Sequence, residues 1–326
     1  MKVFDHVNAG TVDEAIALLK SCDGRAKVIA GGTDLLGILK DRILPDYPET
    51  VINLKSIKNL EYIKEDGGIL KIGALTKLED IVHSPLIRER CKVLSDTAKS
   101  VASPQIRNLG TIGGNICQDV RCLYYRYPHQ IGGRMLCRRK GGKSCFAVAG
   151  DNRFSSIMGG KGCFAVCPSD MAIALAALGA DIIAAEPDGM HTIPIRDFYT
   201  DSGKVLVNTE IIIEFHIRPV PKETRAIFLK FRLREAIDFA IVSVASAIAV
   251  VEGVCREARI VLGAVAPVPS RAISAEEYLK DKELTEEIAQ AAAGMAIDSA
   301  KPMSMNAYKI QIARELVTQA IKAAMP

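Results

Sequence analysis

The sequence predicts an α+β protein, and three observations carry that expectation. Helix-period and strand-period segments alternate through the first two hundred or so positions. Two short apolar runs end in paired glycines, "VIAGGTDLL" at 28–36 and "LGTIGGNI" at 109–116. The last hundred positions change to strands of alternating or continuous apolar character followed by three helices, the pattern of an antiparallel sheet backed on one side.

The elements follow in order. Residues 11–21 read as a helix, with Thr11 and Glu14 as a capping box and Val12, Ala15, Ile16 and Leu19 on one face. "AKVIAGG" is a buried strand entering a glycine turn, and "TVINL" closes a βαβ-like unit of about 54 residues. "LEYIKEDGGILKIGAL" is a hairpin turning at Asp66-Gly67-Gly68. "TKLEDIV" opens a helix with a second capping box, Thr76 to Glu79; 85–102 is helical, and "SPQIRNLGTIGGN" is an irregular loop ending in the second glycine turn. "PSDMAIALAALG" is a helix closed by Gly179, "ADIIAAE" a strand, and 205–218 a strand pair. "VPKETR" at 220–225 is a linker. Beyond it come strands at 226–234 and 239–251, a third in "CREARIVLGAV", and helices at about 274–281, 283–299 and 305–324. The expected division is a domain over 1–219, with subdomains of about 1–54 and 55–219, and a second domain over 220–326.

Composition excludes several functions. The net charge is +4 on 326 residues, with no Trp and no basic run interleaved with aromatics, which argues against nucleic acid. The most apolar segment, 236–251, carries Asp238 and is short for a membrane span, so a buried strand is expected. The N-terminus lacks a signal-like apolar stretch, which points to a cytoplasmic protein. No Ser/His/Asp set and no HExxH helix occurs, and the five His are scattered without metal spacing.

Adjacent glycines after a strand expose successive N–H groups that suit anionic oxygens. Neither turn matches GxGxxG or the P-loop, so a Rossmann site and a P-loop NTPase are both disfavoured. Nine Cys are present, and six of them (Cys117, Cys122, Cys137, Cys145, Cys163, Cys167) fall within the glycine-rich, basic stretch 117–167. Without a secretory signal, metal or redox chemistry explains that density better than disulfides.

Four segments, "VIAGGTDLL", "SPQIRNLGTIGGNIC", "PSDMAIALAALGADI" and "FLKFRLREAIDFAIVSVA", occur in this order. Together they resemble the flavin-binding subunit of the xanthine oxidase family of molybdenum hydroxylases, over nearly the whole chain. The resemblance implies a two-subdomain FAD-binding domain of that flavoprotein type, plus a C-terminal antiparallel sheet packed with helices. By position, Val28, Ile29, Ala30, Gly31, Gly32, Thr33, Asp34 and Leu35 would wrap the FAD diphosphate and ribityl. Ala102 and Gly110 would line the adenine side, and Thr111, Gly113, Gly114 and Asn115 would form the second wall. Asp170 would bond the polyol or ribose, Lys230 would sit near the ring, and Ile212 is a looser match to a ring contact. Asp170 also suits a helix start, and Lys230 a solvated strand position.

The stretch 117–167 departs from most of that family. It resembles the insert of 4-hydroxybenzoyl-CoA reductase, with "RCLYY" the most telling part, and so implies a [4Fe-4S] cluster. Cys122, Cys137, Cys145 and Cys163, with 14, 7 and 17 residues between them, fit no ferredoxin run or zinc ribbon. They suit a loop wound around a cluster, with Arg121, Arg138, Arg139, Lys140 and Lys143 offsetting its charge or receiving a ferredoxin-like donor. Cys117, read on a strand after the glycine turn, and Cys167 are expected to be non-ligands; Cys167 in place of Cys163 stays open, as do structural zinc and free thiols. Cys22, Cys91 and Cys255 read as core residues.

The resemblance further implies a molybdopterin-containing large subunit and a small subunit with two [2Fe-2S] clusters. In the reductase branch electrons would run from ferredoxin through this chain toward molybdenum, for reductive dehydroxylation of 4-hydroxybenzoyl-CoA. The alternative is an oxidising hydroxylase acting on a purine, an N-heterocycle or an aldehyde. A different class altogether is a non-enzymatic cluster-binding regulator.

Overall fold

The computed structural model describes residues 1–132, 135–201, 203, 205 and 209–325. The α+β expectation holds. The first unit is a parallel sheet of β1 (Asp5–Asn8), β2 (Ala26–Ile29) and β3 (Thr50–Asn53) in the order β1-β3-β2, with α1 (Val12–Ser21) between the first two strands and α2 (Leu35–Lys40) after β2. Thr11 caps α1, its Oγ1 accepting from the Glu14 N–H at 3.1 Å. The Glu14 carboxylate accepts from Gly10 N–H at 2.7 Å, one residue short of the capping-box position.

The second unit is an antiparallel sheet of β4 (Ile63–Asp66), β5 (Ile69–Gly73), β6 (Asp181–Glu186), β7 (Gly189–Pro194) and β8 (Ile211–Ile217), ordered β4-β5-β8-β6-β7. Gly67 and Gly68 both take positive φ, 57° and 78°, as a two-residue hairpin turn requires. Helices α3 (Leu78–His83), α4 (Pro85–Arg90), α5 (Lys92–Ser100), α6 (Pro104–Arg107), α7 (Ile112–Ile116), α8 (His129–Gly132) and α9 (Asp170–Ala177) accompany it.

Four local expectations are corrected here. The second capping box does not form, because the Thr76 hydroxyl is engaged by the Tyr62 N–H and C=O. The helix expected over 85–102 is two helices broken at Cys91, whose φ is −156°. The loop before the second glycine turn is helical in part. Gly113 and Gly114 lie inside α7, and Cys117 is its C-cap rather than a strand residue. Finally, the described part of 205–218 holds one strand, β8, and a single bridge from Val205 to Tyr199 where a strand pair was expected; 206–208 lie outside the described residues.

The C-terminal unit is the antiparallel sheet β12-β11-β10-β9, made of β9 (Thr224–Phe231), β10 (Val242–Val251), β11 (Val254–Gly263) and β12 (Ser270–Arg271). It is backed by α10 (Ile273–Leu279), α11 (Glu286–Met295) and α12 (Tyr308–Lys322). Small residues make the helix contacts close: Ala289, Ala292 and Ala293 share one core with Ala313, Val317 and Ala320. Helix α9 is apolar on every side after Asp170 and is buried, as such a helix must be. It lies between the two antiparallel sheets. A Cβ on Gly263 of β11 would stand 2.8 Å from Ile173 of α9, and the core around α9 takes in Ala245 and Val261.

The cysteine-bearing insert is seated on the C-terminal unit. Ile157 and Met158 N–H groups both donate to Val265 C=O, and the Cys167 N–H to Ala266 C=O. Asn306, fully buried, donates to Ser155 and Ser156 C=O, and Asn152 donates to Ala147 C=O and accepts from Met305 N–H. The buried Lys309 ammonium donates to Ser155 C=O at 3.1 Å and Ala264 C=O at 2.7 Å. Every one of these buried polar groups finds a partner, which is the condition for such a seat to be stable.

Candidate functional site

The two glycine turns are in contact. A Cβ built on Gly31 would lie 2.0 Å from Leu109 O and 3.0 Å from Gly110 Cα. One built on Gly113 would lie 2.8 Å from Ala74 O. The close approach explains why side chains are missing there. Gly32 also needs its φ of 73° to turn the chain from β2 into α2.

The two turns differ in what they leave available. Around the second, Gly110 N–H bonds Ile106 C=O, Ile112 bonds Thr76, Gly113 bonds Ala74, and Gly114 bonds the Thr111 hydroxyl. Around the first, among the described residues, no acceptor engages the N–H groups of Gly31, Gly32, Thr33 or Asp34. A run of four unspent N–H groups is a nest for anionic oxygen. The second turn is therefore mainly a braced wall, and the first carries the donors. Lys55 fixes the first from behind, donating to Ala30 C=O at 2.8 Å.

Behind the wall, Asn115 Oδ1 accepts from Ser169 Oγ at 2.7 Å, and that same hydroxyl caps α9 by accepting from Ala172 N–H. Asp170, next in the chain, meets Lys230 of β9 at 2.6 Å with both side chains almost wholly buried, and Lys230 also donates to Ser100 C=O. The structure thus brings these two site residues to each other. Ala102, at φ 47°, accepts from the N–H of Ile237, at φ 72°. Val28 and Ile29 lie in β2, and Leu35 opens α2. Ile212 lies in β8 opposite Ala184 and packs in the central core.

Asp34 does something the sequence did not suggest. Its carboxylate takes Arg121 at 2.8 Å, Arg126 through both oxygens at 3.0 and 3.2 Å, and the Asp119 N–H at 2.9 Å. Burial by itself would raise its pKa; the two guanidiniums and these hydrogen bonds outweigh that and hold the carboxyl below its ordinary range. Asp34 therefore ties the glycine turn to the start of the insert. Asp34→Asn keeps the shape but strands two partly buried arginines. It is expected to lower unfolding stability by roughly 3 kcal/mol in urea titration; a change of a few tenths would show the tie to be dispensable.

Several of the insert's cations have partners within the protein. Arg121 and Arg126 are on Asp34, Arg139 lies 3.7 Å from Asp119, and Arg139 and Lys140 stand over the Tyr125 ring. Tyr125 donates its hydroxyl to Asp119. Arg138 lies across Gly162, where a Cβ would meet Nη1 at 2.5 Å.

The cysteines separate into two groups. Cys137, Cys122 and Cys163 pack in one small cluster with Tyr125, Val120 and Ala165, and Cys145 and Cys163 are close enough to Cys122 to disfavour its ionisation. Burial pushes the Cys122 thiol up; the N–H groups of Tyr125 and Tyr124 point at its sulfur and oppose that. Gly141, Gly159, Gly160 and Gly162 take positive φ in the stretch that carries Cys137, Cys145 and Cys163. Cys117 and Cys167 instead flank Tyr199, and burial pushes the Cys167 thiol up to about 12. Cys91 and Cys255 are core residues, and Cys22 packs at the margin of the first unit's core. The first set offers four thiols, with backbone N–H groups aimed at one of them, Cys122.

Known proteins resemble this chain over nearly its whole length. Residues 2–221 match the family model described as the FAD binding domain in molybdopterin dehydrogenase, and 227–324 the CO dehydrogenase flavoprotein C-terminal domain. The chain is 32% identical to the aldehyde oxidoreductase FAD-binding subunit PaoB of Escherichia coli (strain K12), over 99% of both chains. It is 28% identical to the nicotinate dehydrogenase FAD-subunit of Eubacterium barkeri, over 99% of this chain and 95% of that one. Among solved structures, carbon monoxide dehydrogenase from Hydrogenophaga pseudoflava superposes with a TM-score of 0.80 at 28% identity, covering 99% of this chain and 97% of that one.

Proposed function

We propose that this chain, which belongs to the FAD-binding subunit family of the molybdopterin dehydrogenases, is the electron-transferring subunit of an oxidising molybdenum hydroxylase. The relatives named above are subunits for an aldehyde, carbon monoxide and nicotinate, which favours small carbonyl or N-heterocyclic substrates at a molybdopterin site on a large partner. A small partner with two [2Fe-2S] clusters would relay the electrons. The carrying observation is the contact between the two glycine turns, with four unspent N–H groups on one side of it. FAD, when bound, supplies exchange of one or two electrons at a time. Gly31 to Asp34 would hold its diphosphate through main-chain N–H groups, with Thr111, Gly114 and Asn115 as the facing wall. Asp170 and Lys230, already paired and shielded from water, would present one carboxylate and one ammonium to its polar edge. The test is reconstitution: apo-protein should bind one FAD per chain and, with the two partners, support aldehyde- or heterocycle-dependent dye reduction. An FAD-free protein under saturating flavin would end this reading.

We infer further that Cys122, Cys137, Cys145 and Cys163 hold a [4Fe-4S] cluster. The support is the packing of Cys122 with Cys137 and Cys163, the nearness of Cys145 to Cys122, the N–H groups aimed at Cys122, and the position of Cys117 and Cys167 beside Tyr199. Such a cluster would supply a one-electron site beside the flavin cradle. Cys137→Ser and Cys145→Ser should each lose about four irons per chain while keeping FAD. Cys167→Ser should keep both. Unchanged iron in the first two variants removes them from the ligand set.

A second reading is the 4-hydroxybenzoyl-CoA reductase type with a ferredoxin-like donor. None of the relatives named above is that enzyme, and the cysteine group alone favours it. Turnover of the assembled enzyme with 4-hydroxybenzoyl-CoA and reduced viologen, without aldehyde oxidation, would select it.

A further inference from the structure

Away from the cradle, the β6–β7 hairpin carries a group of side chains that no part of the proposed function uses. Glu186 ends β6, His191 lies on β7 opposite Ala184, and Glu210 stands just before β8. The three are distant in sequence except for the hairpin pair, which is why spacing does not reveal them. His191 Nδ1 is 3.3 Å from Glu186 Oε1, and Nε2 is 3.6 Å from Glu210 Oε2. One ligand atom from each residue lies within 4.8 Å of the other two.

Two observations separate this from an ordinary surface ion pair. Nδ1 is shielded from solvent and yet makes no hydrogen bond, so its approach to Glu186 lies off the donor direction. Among the described residues, neither carboxylate has a Lys or Arg partner; each faces only the imidazole. Two negative groups therefore face one imidazole, Glu186 at the unpartnered Nδ1 and Glu210 at Nε2. Zinc takes His nitrogen and carboxylate oxygen at about 2.0–2.2 Å, which sets tetrahedral ligands roughly 3.4 Å apart. The three ligand atoms, within 4.8 Å of one another, come to that spacing when the partly exposed carboxylates rotate toward the same ring nitrogen.

We propose that Glu186, His191 and Glu210 bind one divalent ion of the zinc class, with water completing the shell. The ion joins the edge strand β7 to its neighbour β6 and to the entry of β8, so its role is to hold the sheet edge.

Isothermal titration with zinc chloride on the FAD- and iron-loaded protein tests this. His191→Ala and Glu210→Gln retain every cysteine, so zinc taken by thiols is common to all samples and the difference reports the hairpin alone. Wild type should bind one more zinc per chain than His191→Ala, and zinc should raise the melting temperature of wild type only. Glu210→Gln should weaken that site about tenfold or more. His83→Ala, at the exposed pair with Glu79, should behave as wild type. FAD content verifies that each variant is folded. Equal zinc stoichiometry and equal thermal response in wild type and both hairpin variants would overturn the proposal.

Discussion

Gly31→Val is expected to lower flavin affinity by about a hundredfold or more and to cost roughly 3 kcal/mol of stability. The reason is geometric. Even a Cβ at this position would lie 2.0 Å from Leu109 O, and the obstacle is backbone rather than a movable side chain. To admit it, the two turns must part, and the N–H groups of Gly31 to Asp34 then no longer face the wall formed by Thr111 and Asn115. The companion variant is Gly37→Ala in α2, six residues away. A Cβ there meets nothing within 4 Å, so this change should leave flavin binding intact and add up to about 1 kcal/mol through helix propensity. Flavin fluorescence titration and urea denaturation on both variants decide the matter. If Gly31→Val held FAD as tightly as wild type, the contact between the turns would have no part in the cradle.

That contact was only half legible in the sequence. The repeated glycine grammar pointed to a shared cradle, and the α+β architecture followed from periodicities that real elements obey. The asymmetry between the turns was hidden, because it depends on which N–H groups neighbouring strands and helices consume. Ile112 and Gly113 spend theirs on Thr76 and Ala74, thirty-odd residues earlier in the chain. Asp34 shows the same limit. Beside a glycine pair it reads as a ligand for the cofactor, and nothing local signals that Arg121 and Arg126 will claim it across more than eighty positions. Lys230 and Asp170, read separately, suggested two contacts with a flavin; sixty residues apart, they form one buried pair. Short exposed edges were lost as well. β7, "GMHTIP", has neither alternation nor a continuous apolar run, and its histidine gained meaning only from Glu186 and Glu210 beside it. The crowding of cysteines into 117–167 was visible in the sequence, but which thiols pack together depends on the fold of that stretch.

Lys309 gives the second large effect, and it appears as a dependence on pH. Its ammonium is buried against two carbonyls, and burial pushes its pKa down to about 7. In the unfolded chain it titrates near its ordinary value of about 10.4. Between pH 7 and 10 the unfolded state therefore binds the extra proton, and stability rises with pH through this window. The stabilisation is complete above the unfolded value and is lost as pH falls through the folded one. A displacement of about three units corresponds to roughly 4 kcal/mol across the window. Lys309→Met removes the titration but leaves Ser155 and Ala264 carbonyls without this donor, a constant penalty of about 1–3 kcal/mol. Wild type should thus gain on the variant as pH rises: the two comparable, or the variant ahead, at pH 6.5, and wild type clearly ahead at pH 9.5. Urea titrations at three pH values measure this, and parallel pH curves would show that Lys309 does not change protonation on folding. Because Ser155 belongs to the cysteine-bearing insert and Ala264 to the C-terminal sheet, the same lysine joins the two. The insert should therefore be held less firmly at pH 7 than at pH 10.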